Sequence, residues 1–332
     1  MKKVLKCAMI IVGTLIGAGF ASGQEIVSFF NRFSTKGILG IVLSSILFGI
    51  ITFLSIAISD KINEYDYKKI IKNNKIFTWF IKAFTFICFC IMLSCIGTYI
   101  QEQCGLNYWI GTILAGVICF VSFLFRFNGL EKINSYLVPI ILLGIAILYF
   151  YSGRGLENVE IEYKSVNHFL ILKNWFHASI LYVGYNSILL IPIIIEIKRY
   201  QLNKSEKYVL SALIFFIFCI TGLLIFFTMN KYYPQIAYVE MPTIFIAKSI
   251  GPILFSYYSF VMIFAIFTTA YSSGYAFLKL NSEKNYLRNC VMICISGIIF
   301  ARMGFSNLIN VFFPIFGYFG ILQMIYILVT NL

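Results

Sequence analysis

Apolar stretches of roughly 18 residues or more recur from one end of the chain to the other, each long enough for a helix to cross about 30 Å of hydrocarbon. Few folds satisfy such a pattern. In lipid no water meets the backbone, so every amide and carbonyl must be paired within its own segment, which selects α-helices. The composition agrees: of 332 residues, 60% are hydrophobic and only 12% charged, whereas a soluble domain carries about 25% charged residues. The expected fold class is therefore an all-α membrane protein of about ten transmembrane helices. Their spans fall roughly at 4–30, 38–59, 76–101, 107–125, 133–151, 175–197, 208–228, 250–279, 286–304 and 307–330. Nothing between them is long enough to fold alone, so residues 1–332 read as a single polytopic domain.

The formal net charge is +13. In a soluble protein that would suggest nucleic acid, but its distribution says otherwise. With the N-terminus inside, 18 of the 26 basic residues fall in inner segments. The bias predicts a plasma-membrane protein with both termini cytoplasmic, and excludes a nucleic-acid footprint. The start of the chain imitates a secretory signal ending at Ala21-Ser22-Gly23, yet the apolar run resumes through Phe30 and many spans follow. Nine cysteines lie almost wholly within spans, with no CxxC pair and only two histidines, so they read as small apolar fillers and not metal ligands. Two outer connections, 152–174 with Glu157, Glu160 and Glu162, and 229–249 with Pro234 and Pro242, read as interfacial loops or lids over an outer vestibule.

Two spans are interrupted. The first contains Gly13, Gly17, Gly19 and Gly23, followed by Gln24 and Glu25. Each glycine costs about 1 kcal/mol against alanine in a helix, and backbone unwound inside a bilayer persists only where it lines a cavity or is packed in protein. The sixth span holds Tyr182-Val183-Gly184-Tyr185-Asn186-Ser187 and then Pro192. Close packing through small residues is the plain alternative. Breaks in spans one and six of ten occupy matching positions in two five-helix halves, about 4–151 and 175–330. An odd number of spans per half makes the repeat inverted, and interrupted helices in matching positions point to a transporter's binding site. In the eighth span, Ala265, Thr268 and Thr269 fall near the same depth.

The run Gly17-Ala18-Gly19-Phe20-Ala21-Ser22-Gly23-Gln24-Glu25 resembles the opening motif of the YkvI-type bacterial membrane proteins, relatives of the amino acid–polyamine–organocation superfamily with the LeuT fold. Length and span count extend the likeness over the whole chain. The resemblance implies unwinding of helices 1 and 6 at mid-membrane and alternating-access symport of an amino acid or similar small zwitterion. The implied substrate pocket is lined by Ala18, Gly19, Phe20, Ala21, Ser22 and Gly23 on the first span. Tyr182, Gly184, Tyr185 and Asn186 line it on the sixth, with Phe20 and Tyr185 as walls or gates. It also implies a sodium site from carbonyls of Gly13, Ile16 and Ala265 and hydroxyls of Thr268 and Thr269, with sodium as the coupling ion, protons as its alternative, and no other cofactor. An outer-gate arginine found in several sodium-coupled relatives is replaced here by Gly23, Gln24 and Glu25. Glu25 has three readings: a cation partner, a proton carrier, or an outer-surface carboxylate, of which the last is the simplest.

Rival classes are a channel, a sensor or assembly protein on the same fold, and an intramembrane enzyme. An enzyme would need convergent Ser–His, Asp–Asp or metal-ligand groups inside the spans, and the acidic residues avoid span centres.

Overall fold

The computed structural model describes residues 2–62, 67–124, 130–153, 172–197, 200–236, 239–281 and 285–331. The acidic stretch containing Glu157, Glu160 and Glu162 lies outside the described residues.

The apolar runs become helices in the expected places. The N-terminal run is split into α1 (Lys2–Leu15), α2 (Ala18–Ala21) and α3 (Gln24–Phe29), followed by α4 (Lys36–Ile62) and the short α5 (Tyr67–Ile70). Then come α6 (Lys75–Cys104), α7 (Tyr108–Leu124), α8 (Leu130–Ser152) and α9 (Trp175–Ile197). The second half continues with α10 (Lys204–Lys231), α11 (Tyr233–Ile236), α12 (Pro242–Ile250), α13 (Pro252–Lys279), α14 (Tyr286–Ala301) and α15 (Phe305–Asn331). Among the described residues, six helices are long and apolar enough to cross a membrane, and three shorter apolar helices accompany them.

Local chemistry marks the ends. Asn74 accepts the Ile76 amide at the start of α6, and Gly105 closes that helix in the left-handed region (φ 68°) that glycine adopts without strain. At the start of α10, the Glu206 carboxylate accepts the Asn203 amide at 2.8 Å, half of a capping box.

Burial separates central from peripheral helices. The most apolar windows of α6 and α9 are 72% buried, against 39% for α10 and α15. The peripheral helices present Phe150, Ile253 and Val329 at 72%, 87% and 78% exposure, together with many other large apolar side chains. Apolar area on this scale needs an apolar solvent. It is the face that lipid covers.

The sixth span departs from expectation. α9 is continuous, without the unwinding at Tyr182–Ser187. Gly184 serves packing: a Cβ there would lie 2.2 Å from the Gly317 carbonyl of α15, and one on Gly320 would lie 1.8 Å from the Gly184 carbonyl. Glycine thus lets two backbones touch, the small-residue contact of membrane helices. Asn186 needs no break either, because its amide donates to the Tyr182 carbonyl at 2.9 Å, one turn back. Pro192 sits inside the same helix.

Candidate functional site

The first span carries the breaks. α1 makes its last helical bond from the Ile16 amide to Val12 O (2.7 Å), and the next such bond runs from the Ala21 amide to Gly17 O (3.0 Å). The carbonyls from Gly13 to Ile16 therefore lose their i+4 amides, and the amides of Gly17 to Phe20 donate no helical bond. Gly17 is extended (ψ −173°), which ends the turn. A second break follows at Ser22–Gly23, where Gly23 takes φ 79°.

The two breaks are satisfied differently. At the second, Ser22 Oγ donates to Gly19 O at 2.9 Å. The Ala21 carbonyl accepts the hydroxyls of Thr243 and Tyr258, each at 3.0 Å, and the Ser22 carbonyl accepts the Thr243 amide at 3.0 Å. Thr243 belongs to α12, so that helix packs onto the break and plugs it. At the first break, Gly13 and Ile16 join Ala265, Thr268, Thr269 and Ser272 of α13, and Leu137, Val138 and Ile141 of α8, around a cavity of about 20 Å³. All five residues named for a sodium site in the sequence line this one space. Both threonine hydroxyls donate to their own helix: Thr268 to Phe264 O (3.0 Å) and Ala265 O (3.1 Å), Thr269 to Ala265 O (2.8 Å). With the protons so engaged, each hydroxyl oxygen keeps acceptor capacity.

Besides Gly19 and Gly23, which shape the breaks, the substrate residues named from the sequence divide into three groups. Ala18, Phe20, Ala21 and Ser22 are fully buried, and the Phe20 ring packs on Phe218 of α10 at 5.4 Å. Tyr182 and Tyr185 turn from α9 toward the broken helix, Tyr185 stacking on Phe313 at 4.4 Å. Gly184 packs α9 against α15 and Asn186 bonds within α9, as described above.

Glu25 is the principal surprise. It is 6% exposed, not an outer-surface carboxylate. Its Oε2 accepts the hydroxyls of Tyr185 (2.7 Å) and Tyr182 (3.3 Å). A Cβ on Gly19 would lie 2.1 Å from Glu25 Oε1, so the carboxylate fills the notch that this glycine leaves. Spans one and six therefore do meet at polar groups, but through a side chain and not through two unwound backbones. The sequence leaves Glu25 with three readings; its burial against Gly19 follows from the second break, where Gly23 takes φ 79° and α3 begins.

At the α10 N-terminal end of the bundle, Lys207 pairs with Asp60 at the end of α4. The pair borders a cavity of about 320 Å³ lined also by Ile56, Ile197, Gln201, Leu202 and Asn203.

Apolar flanks suited to lipid, central helices and a first helix broken against polar groups together define a multi-pass helical membrane protein. No family model matches the chain. It is 24% identical to the Bacillus subtilis (strain 168) protein YyaD over 98% of this chain and 96% of that one, and YyaD is described only as uncharacterized. It is 23% identical to the uncharacterized membrane protein YkvI of the same organism, over 94% and 91% of the two chains. Among solved structures, two variants of the Eremococcus coleocola manganese transporter superpose with TM-scores of 0.64 and 0.62 at 10% and 11% identity. Each match covers 98% of this chain and 78% of that one. At such identity the likeness is one of fold: the chain has the fold of a membrane transporter.

Proposed function

We propose that the protein is a secondary active transporter that takes up an amino acid or related small zwitterion by alternating access, coupled to sodium. In this reading the ten apolar segments form two inverted halves, and both termini face the cytoplasm. One observation carries it: Gly13, Ile16, Ala265, Thr268 and Thr269 surround a single cavity of about 20 Å³ where α1 ends. A space of that size holds one water-sized occupant. Beside the aliphatic Leu137, Val138 and Ile141, its lining residues on α1 and α13 carry carbonyl and hydroxyl oxygens and no charged side chain, a donor set that a hard monovalent cation accepts, and the space lies between the first span and α13. Filling or emptying it would bias how those two elements sit, which is how an ion couples to a conformational cycle.

The substrate's carboxylate would turn to the amides of Ala18 to Phe20, beside Gly19. In the conformation described here Glu25 fills that space, and α12 plugs the break above it. The seat is closed, and opening it requires Glu25 and α12 to move. The manganese carried by the structural neighbours calls for a different donor set. Among the described residues no group of three His, Cys, Asp or Glu side chains gathers, and the lining around Thr268 and Thr269 carries no carboxylate, which suits a monovalent cation better than a divalent one.

The test is a thermal-shift screen of purified protein against the amino acids, in sodium and in choline salts, followed by uptake of each hit into proteoliposomes. Saturable accumulation driven by an inward sodium gradient is the expected result. Binding without flux would make the protein a sensor, and flux that never saturates would make it a channel.

A further inference from the structure

Glu25 has a chemical environment that the sodium reading leaves unused. Its carboxyl is enclosed by the first span and α9, with Phe29 and Phe84 packed on the Tyr185 ring and Phe48 and Phe218 on the Tyr182 ring. The titratable groups facing it are Tyr182 and Tyr185 from α9 and the Cys88 thiol from α6. None of these is a cation, and among the described residues Glu25 makes no ion pair.

A bare carboxylate in such a place has lost its water and gained only two neutral donors, a costly state unless a cation joins it. The smallest cation is a proton. We propose that Glu25 is a proton-binding site: its carboxyl takes up a proton as it seats against Gly19, Tyr182 and Tyr185, and releases it when the break opens to water. One O–H bond forms on the carboxylate, the proton coming from solvent, and the same bond breaks on release to solvent. Nothing else changes oxidation or bonding.

The geometry ties this group to the broken segment. Gly17 and Gly19 flank opposite sites on one broken segment. A Cβ on Gly17 would meet Thr269 Oγ1 at 3.6 Å, beside the small oxygen-lined cavity, whereas a Cβ on Gly19 would strike Glu25 at 2.1 Å. A hinge at Ser22–Gly23 that carries α3 away from both α2 and α9 opens the Gly19 notch and takes Glu25 from its tyrosines in one movement. Protonation and opening are then linked states of a single equilibrium. The use of that proton in transport rests on the transporter reading, but the binding site itself does not.

Infrared difference spectroscopy of the full-length protein in lipid nanodiscs, stepped from acidic to alkaline pH, reads the carboxyl directly and needs no substrate. A protonated-carboxyl C=O band that changes with pH, shifts on ¹³C-glutamate labelling and is lost in Glu25→Gln is expected. Tyr185→Phe should shift that band upward by removing a hydrogen bond, a response that a merely structural carboxylate would not give. Absence of any Glu25-dependent band at every pH overturns the proposal. So does a band that sodium chloride abolishes and choline chloride leaves intact, since the carboxyl would then be a sodium ligand. Should Glu25→Gln fail to fold, the labelled wild-type and Tyr185→Phe spectra decide the matter alone. Sodium-driven uptake with no such band would refute the proton site and leave the transporter. A clear band with no uptake of any amino acid would do the reverse.

Discussion

Replacing Thr268 and Thr269 by valine tests the oxygen-lined cavity most directly, because valine keeps the shape of each side chain and removes only the hydroxyl. A hydroxyl oxygen bound to a cation contributes on the order of 1.5–3 kcal/mol, as other charged hydrogen-bonding contacts do. At about 1.4 kcal/mol per decade, one substitution should weaken sodium affinity about tenfold to about a hundredfold. The effect is readable without a substrate. Sodium at about 100 times its dissociation constant stabilises the wild type by about 2.7 kcal/mol. A tenfold loss of affinity cuts that to about 1.4 kcal/mol and a hundredfold loss to about 0.4 kcal/mol. The double variant should show almost none. Stability in choline should stay within about 1 kcal/mol of wild type, because the bonds from Thr268 and Thr269 to the Ala265 carbonyl supplement the helical ladder and do not replace it. Thermal or chemical unfolding in sodium and choline salts at matched ionic strength measures both quantities. Equal sodium stabilisation in wild type and double variant would refute the site, as would a wild type indifferent to sodium.

Gly184→Ala forces a Cβ to within 2.2 Å of the Gly317 carbonyl; backbone cannot yield as a side chain can, so α9 and α15 must part at a cost of about 1–3 kcal/mol. The unfolding midpoint should fall while the sodium response survives, and an unchanged midpoint would mean the helices are not so close. Gly19→Leu should leave the protein folded, displace Glu25 from Tyr182 and Tyr185, and abolish amino-acid binding in a calorimetric titration; wild-type affinity would move the seat elsewhere. A cysteine introduced at Lys72, in a chain whose exposed Cys104 and half-buried Cys219 are replaced by serine, should react with an impermeant maleimide only from the cytoplasmic side, and labelling from outside would invert the topology.

Periodicity and length were enough to locate the spans, because the bilayer imposes one rule on every segment and that rule is local. The broken first span was legible for a similar reason: Gly13, Gly17, Gly19 and Gly23 remove side chains at fixed positions, whatever packs there. The grouping of Thr268 and Thr269 with Gly13 and Ile16 came from a resemblance, and the structure brings those residues to one cavity. Ser272, one turn beyond on the same face of α13, could have been added from helical spacing alone. The sixth span shows the opposite case. Gly184 and Asn186 look alike in sequence whether a helix unwinds or packs, and only Gly317 and Gly320 on α15, more than a hundred residues away, make packing the answer.

Glu25 marks the same boundary. Its identity and its place after the glycines are properties of the sequence, and so is the membrane in which it sits. Whether its carboxylate faces water or Tyr182 and Tyr185 depends on where α3 points after Gly23 and on which face of α9 it meets. Segment-by-segment solvation is written into the chain because each helix feels lipid independently. Contacts between distant helices are decided only by their joint packing, and the candidate chemistry of this protein lies in those contacts.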